Sequence, residues 1–290
     1  FRGLSYHKLS SFDLAIADFS HAIKLQPEEI DLYHARAISY ASVHKLDLAL
    51  YDLDKALEID PHNSVEHLYK GLFFKSTERF AKAIESINAF LEHKNNPAED
   101  LLSFAYAIRG NSYRRLGNHE KAIVDLDEAI RLNPRNDEAY YQRSLCFLRF
   151  ADFDAAIADI DRAIELDQTK SKYYTMRAIY TFSSAPERAK TGIDININSE
   201  MDRVIQDASQ ALALSTNEFL VYAVRAEARS FKGEYQAAIH DYSIAIGMAP
   251  TEDLAQLHFD RGKTYEKLGQ TNQAEADFAK ARELGYQGAN

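Results

Sequence analysis

Apolar residues return along this chain every three or four positions, in stretches separated by brief polar breaks, which places them on one stripe of successive α-helices. Between Tyr106 and Pro134 the pattern is clearest: Tyr106, Arg109, Gly110 and Tyr113 share one stripe, Ala122, Leu126 and Ala129 share a second, and Gly117-Asn118 divides them. Glycine ends a helix and opens a turn. Pro134, like Pro27, Pro61 and Pro250, stops the second helix. Two amphipathic helices in tight succession are therefore predicted. The unit recurs at a basic step of 34 residues. The Gly110 place holds only small residues, namely Gly3, Ala37, Gly71, Gly110, Ser144, Ala178, Ala226 and Gly262. The Ala122 place reads Ala15, Ala49, Ala83, Ala122, Ala156, Val204, Ala238 and Ala274; the Ala129 place reads Ala22, Ala56, Phe90, Ala129, Ala163, Ala211, Ala245 and Ala281. Small residues on facing stripes let two helix axes approach closely. One such pair cannot bury both of its faces, so neighbouring pairs must stack to complete a core.

Helix pairs at this period, with aromatic, glycine, tyrosine, alanine and proline positions at these spacings, resemble the tetratricopeptide repeat family over nearly the whole chain. The resemblance implies an all-α fold, a right-handed α-solenoid superhelix of about eight helix-turn-helix units, whose first helices line a concave groove. It also implies a scaffold that binds peptides or protein partners. The expected units are a partial one at 1–29, then 30–63, 64–102, 103–136, 137–170, 171–218, 219–254 and 255–290, forming a single solenoid. The family usually has tryptophan where this chain has Tyr106 and leucine where it has Arg109; the chain contains no tryptophan.

Three junctions depart from the 34-residue step. Residues 91–100 form a longer link beside the unusual Phe90, a candidate hinge or a simple loop extension. About fourteen extra residues fall within 183–202, including Pro186, Gly192 and the alternation Ile193-Asp194-Ile195-Asn196-Ile197, which predicts an extended segment. Its role is either a partner-contacting loop or a plain surface insertion. A shorter addition lies near Thr251–Leu254. Gly3 and Tyr6 already occupy mid-helix places, so the chain is expected to start inside a longer protein.

The Arg109 place is basic throughout: Arg2, Arg36, Lys70, Arg109, Arg143, Arg177, Arg225 and Arg261. The Asp125 place reads Asp18, Asp52, Ser86, Asp125, Asp159, Asp207, Asp241 and Asp277, and where serine replaces aspartate, lysine replaces arginine. The two columns are expected to pair, within a repeat or across to the next, because an unpaired half-buried guanidinium costs several kcal/mol. The alternative is a ladder exposed to a phosphorylated or acidic ligand.

Family geometry implies groove-facing residues at His34, Ile38, Leu68, Tyr69, Leu72, Asn111, Arg114, Arg115, Tyr141, Gln142, Leu145, Arg149 and Met176, with Phe104, Ile108, Ile179, Leu220 and Val224 alongside. An apolar surface of this kind marks a binding site, and Arg114, Arg115 and Arg149 at its middle suggest a ligand with apolar anchors and an acidic flank. Packing between neighbouring first helices is the competing role for each. The two-carboxylate clamp that some family members use on chaperone C-terminal tails is not expected, because its lysine places hold His34, Leu68, Ala107, Tyr141, Thr175, Ala223 and Phe259.

Composition narrows the functions. A net charge of −10 argues against nucleic acid and against direct binding to anionic membranes. The single Cys146, between Leu145 and Phe147, allows no internal disulfide and is expected to be a buried, inert thiol. No phosphate loop, zinc-ligand spacing or nucleophile-base arrangement occurs, so no cofactor, no metal and no catalytic activity are expected. The expected role is a non-enzymatic adaptor binding a protein or peptide partner in its concave groove. The alternatives are a self-associating homo-oligomeric assembly module, or the regulatory domain of a larger protein. Localisation is open, with the cytoplasm favoured and an upstream targeting signal compatible.

Overall fold

The computed structural model describes residues 2–93, 97–190, 196–214 and 218–286. Sixteen helices and no strand occur among them. The chain divides into two compact units, Phe1–Cys146 and Phe147–Asn290, with the division falling inside a helix. No helix among the described residues is long and apolar enough to cross a membrane.

In the first unit the helix pairs are α1 (Arg2–Lys8) with α2 (Phe12–Leu25), α3 (Ile30–Ser42) with α4 (Leu46–Ile59), α5 (Ser64–Ser76) with α6 (Phe80–Glu92), and α7 (Glu99–Arg115) with α8 (His119–Leu132). Next comes α9 (Asp137–Arg149), which contains the division. The second unit holds α10 (Phe153–Leu166), then α11 (Ser171–Lys190) with α12 (Ile197–Leu214), α13 (Phe219–Phe231) with α14 (Tyr235–Met248), and α15 (Thr251–Lys267) with α16 (Thr271–Glu283). In the first unit each helix from α1 to α8, and in the second each from α11 to α16, packs against its pair-mate, and the next pair stacks on it.

The alanine columns are where the paired helices meet. Ala15, Ala49, Ala83, Ala122, Ala156 and Ala238 are wholly buried. Opposite them, the small column permits a very close approach: a Cβ added at Gly110 would lie 2.8 Å from Leu126 Cγ and 3.2 Å from the Ala122 carbonyl oxygen. Phe90, the exception among the alanines, is buried in a cluster that joins α5, α6 and α7 through Leu68, Ile87, Ala105 and Ile108. The middle of the candidate hinge, residues 94–96, lies outside the described residues.

In the sixth repeat α11 runs on through Pro186 to Lys190, and Ile197, the last residue of the expected extended run, opens α12. Ala185, Glu187, Arg188, Ala189 and Lys190 are strong helix formers, enough to carry the helix past one missing amide donor. Of the expected alternation, residues 193–195 lie outside the described residues.

The charged columns pair as expected and are also shared between repeats. Nε and Nη2 of Arg36 donate to the two oxygens of Asp52 at 2.8 and 2.7 Å, while Nη1 reaches Ser20 Oγ on the preceding repeat. Arg109 grips Asp125 and Asn88 in the same way, Arg225 grips Asp241 and Ser209, and Arg261 grips Asp277 and Ser243. Arg177 takes two aspartates, Asp207 in its own repeat and Asp161 in the one before. Lys70, which faces Ser86 instead of an aspartate, pairs with Asp54 of the preceding repeat. Burial pushes the Asp52 carboxyl up despite Arg36. At Asp277 burial acts in the same direction, but the hydrogen bonds from Arg261 and His258 outweigh it and hold the carboxyl low.

Candidate interaction groove

Within each unit the first helices of successive repeats lie beside one another, and polar links tie them. His7 meets Ser39 between α1 and α3 at 3.0 Å, and His34 Nδ1 lies 2.9 Å from Glu66 Oε1 between α3 and α5. Ser230 and Thr264 share a hydrogen bond between α13 and α15. The residues expected to face the groove sit at different depths on these helices. Leu68, Asn111 and Gln142 are buried; His34, Ile38, Tyr69, Leu72, Arg114, Tyr141, Leu145 and Met176 are half-buried; Arg115 and Arg149 are exposed.

Several have work inside the stack. His34 meets the Tyr69 ring edge-on at 4.8 Å, and Tyr69, Leu72 and Ile38 pack against the core around Ala37 and Phe73. Arg114 donates to Gln142 at 2.9 Å, and Gln142 in turn donates to Glu138. Arg115 pairs with Glu78 and lies over the Phe80 ring at 4.6 Å, which draws it to the turn between α5 and α6. Cys146 is buried. Phe104 is exposed, at 42%, as is Leu101 one turn earlier on α7.

In the second unit the groove face carries a defined cleft of about 240 Å³, lined by first helices alone. From α11 come Ile179 and Phe182, from α13 Leu220, Ala223 and Glu227, and from α15 Leu257 and Asp260. Each set follows steps of three or four residues, so each is one helical stripe. Leu220 is 51% exposed at the rim, while Leu257 is buried. A neighbouring cleft of about 190 Å³ shares Phe182, Glu227 and Asp260 and adds Tyr242, Lys263 and Lys267.

Burial pushes the Glu227 carboxyl up to about 7, and the adjoining Asp260 adds to the shift while Lys263 opposes it. Burial raises Asp260 too, against a hydrogen bond from Gln256. Neither carboxylate was singled out from the sequence. The signal was present: Glu227 stands at the Asn111 place and Asp260 at the Ile108 place, where the other repeats carry no acidic residue. Among the described residues no group of three or more metal-capable side chains occurs.

Profiles of the tetratricopeptide repeat match residues 1–29, 137–170 and 255–284, and a TPR-repeat profile matches 110–148. No curated protein matches the sequence. Among solved structures, a tetratricopeptide repeat protein from Parabacteroides merdae ATCC 43184 is 19% identical with a TM-score of 0.56, over 89% of this chain and 94% of its own. A chain of the APC/C hetero-tetramer Cut9–Hcn1 is 17% identical with a TM-score of 0.61, over 94% of this chain and 50% of its own. YrrB, a TPR protein with an unusual peptide-binding site, is 20% identical with a TM-score of 0.50, over 70% of this chain and 95% of its own. At these identities the likeness is one of fold.

Proposed function

Since the chain belongs to the tetratricopeptide-repeat proteins, whose fold is a general scaffold for contacts between proteins and is typically non-catalytic, we propose that it is an adaptor. Its first-helix face holds a segment of a partner protein. One observation carries this reading: the second unit's cleft is built from three successive first helices and leaves apolar side chains open at its rim. Exposed apolar concavities with a few polar groups are the usual form of a peptide site. The fold shared with YrrB, which has a peptide-binding site of its own, supports the same reading. Phe104 and Tyr141 in the first unit, and Arg149, Met176 and Leu220 in the second, are the residues we expect to touch a partner directly. Leu68, Asn111 and Gln142 would shape the face from beneath. His34, Ile38, Tyr69, Leu72, Leu145, Arg114 and Arg115 divide between packing and contact.

The test is capture from lysate with the full chain as bait, comparing Phe104→Glu and Leu220→Glu with the parent. Both residues are exposed, so stability should change by no more than about 0.5 kcal/mol. At least one variant should lose most of the captured partner. Capture unchanged in both, or lost only together with folding, would remove the adaptor reading.

A further inference from the structure

The cleft between α11, α13 and α15 contains an electrostatic imbalance that its packing does not require. At the Asn111 place the other repeats have Leu4, Ile38, Leu72, Leu145, Ile179 and Lys263, whereas the seventh has Glu227. At the Ile108 place they have Ala35, Tyr69, Gln142, Met176 and Val224, whereas the eighth has Asp260. Adjacent repeats bring these two exceptions onto the walls of one largely apolar cleft. A leucine would fill the Glu227 position without desolvating a carboxylate, as Leu72 and Leu145 do in their repeats. Glu227 forms no hydrogen bond or ion pair with a described residue. Lys263, one turn from Asp260, lies over the Phe259 ring at 5.4 Å instead of pairing with either acid. Burial displaces both carboxyls upward by more than the charge of Lys263 lowers them, so a closer counter-charge would stabilise their ionised forms.

We propose that this cleft is the docking site for a lysine or arginine side chain flanked by large apolar residues on a peptide segment of a partner protein. Glu227 and Asp260 receive the cation, Phe182 and Leu257 hold its hydrocarbon stem, and Leu220 meets the neighbouring apolar residue. The inference rests on the adaptor reading and supplies the chemistry of its ligand. The match is one of complementarity: a basic side chain has an apolar stem and a charged head, in the order the cleft presents its floor and walls. The chain's net charge of −10 draws the same class of ligand toward it.

Three short fluorescein-labelled peptides test this by anisotropy with the full chain, one alternating leucine with lysine and two in which glutamate or norleucine replaces the lysine. The lysine peptide should bind at least about tenfold more tightly than the glutamate peptide, since like charges would then face each other. The double variant Glu227→Gln with Asp260→Asn, checked for folding by circular dichroism, should lose this preference and bind lysine and norleucine peptides alike. If the double variant fails to fold, Glu227→Gln alone should still cut the preference at least about threefold. Equal binding of the lysine and glutamate peptides, binding of none of them, or an undiminished preference in the folded variant overturns the proposal. Partner capture that depends on Leu220 with no lysine preference sinks this site alone. A lysine preference with capture indifferent to Phe104→Glu and Leu220→Glu sinks the adaptor reading instead.

Discussion

Arg36, Arg109, Arg177, Arg225 and Arg261 each do two jobs with one side chain. The fork at Nε and Nη2 closes on its own repeat's aspartate, and Nη1 reaches back to the preceding second helix, so one residue sets both the pairing of two helices and the stacking of two repeats. In several repeats a tyrosine three residues earlier lies beside the guanidinium, as Tyr106 does for Arg109 at 5.5 Å and Tyr222 for Arg225 at 5.6 Å. The ring and the base together occupy the family's tryptophan and leucine places. Asp52 is almost wholly buried, so Arg36→Met should destabilise the first unit by about 3 kcal/mol in chemical denaturation, and adding Asp52→Leu should recover most of it. Equal losses in the single and double variants would show that the pair contributes packing alone. Glu227 supplies a second residue-scale prediction. Its folded carboxyl sits near 7, above its ordinary 4.5, so the folded protein holds that proton more tightly than the unfolded chain. The stability it confers is complete below the ordinary carboxylate range and is lost as pH rises through about 7. The titratable groups lining its two clefts are Asp253, Asp260, Lys263 and Lys267 of α15 and Tyr242 of α14, while α11 presents the uncharged Phe182 and Ser183. Glu227→Gln should therefore raise the thermal midpoint at about pH 8, with the gain shrinking to nothing near pH 4. A gain that does not change with pH would contradict the assignment.

At the scale of the helix pair, one device closes the joint repeatedly. Ser10, His44, Glu78, Gly117, Ala151, Gly233 and Gly269 all have φ between 55° and 82°, each just after the first helix of a pair. The amide after each donates five residues back, as Asn118 does to Tyr113 and Asp152 to Phe147, both near 3 Å. This is the Schellman closure, and it needs a left-handed residue that glycine adopts without strain. Ala151→Gly should therefore stabilise the protein by about 1 kcal/mol and Gly117→Ala should destabilise it by a similar amount, both read from denaturation midpoints. The same sign for both would refute the account. Gly117 announces this turn in the sequence, whereas Ser10, His44, Glu78 and Ala151 do not. Their conformation is imposed by the two helices they join.

At the scale of the whole chain, the adaptor reading and its self-associating alternative differ in measurable ways. Light scattering over a range of concentrations should give a constant monomer mass if the groove serves a foreign segment, and a rising mass would favour the alternative. Because the partner is argued to be basic, its capture should weaken as salt rises from roughly 0.05 to 0.5 M, where the screening length shortens from about 14 Å to about 4 Å. Capture indifferent to salt would argue for apolar contacts alone. The sixteen helices, their pairing and the arginine-aspartate columns were all legible in the chain, because helical stripes and a fixed repeat length are one-dimensional regularities that local burial and backbone geometry enforce. The continuation of α11 to Lys190 was hidden by Pro186, which reads along the chain as a helix breaker. The depth of Leu68, Asn111 and Gln142, the third hydrogen bond of arginines such as Arg36 and Arg109, and the meeting of Glu227 with Asp260 across one cleft depend on which side chains of separate repeats come to lie together. Desolvation and pairing are properties of that spatial neighbourhood, and no spacing along the chain encodes a dielectric environment.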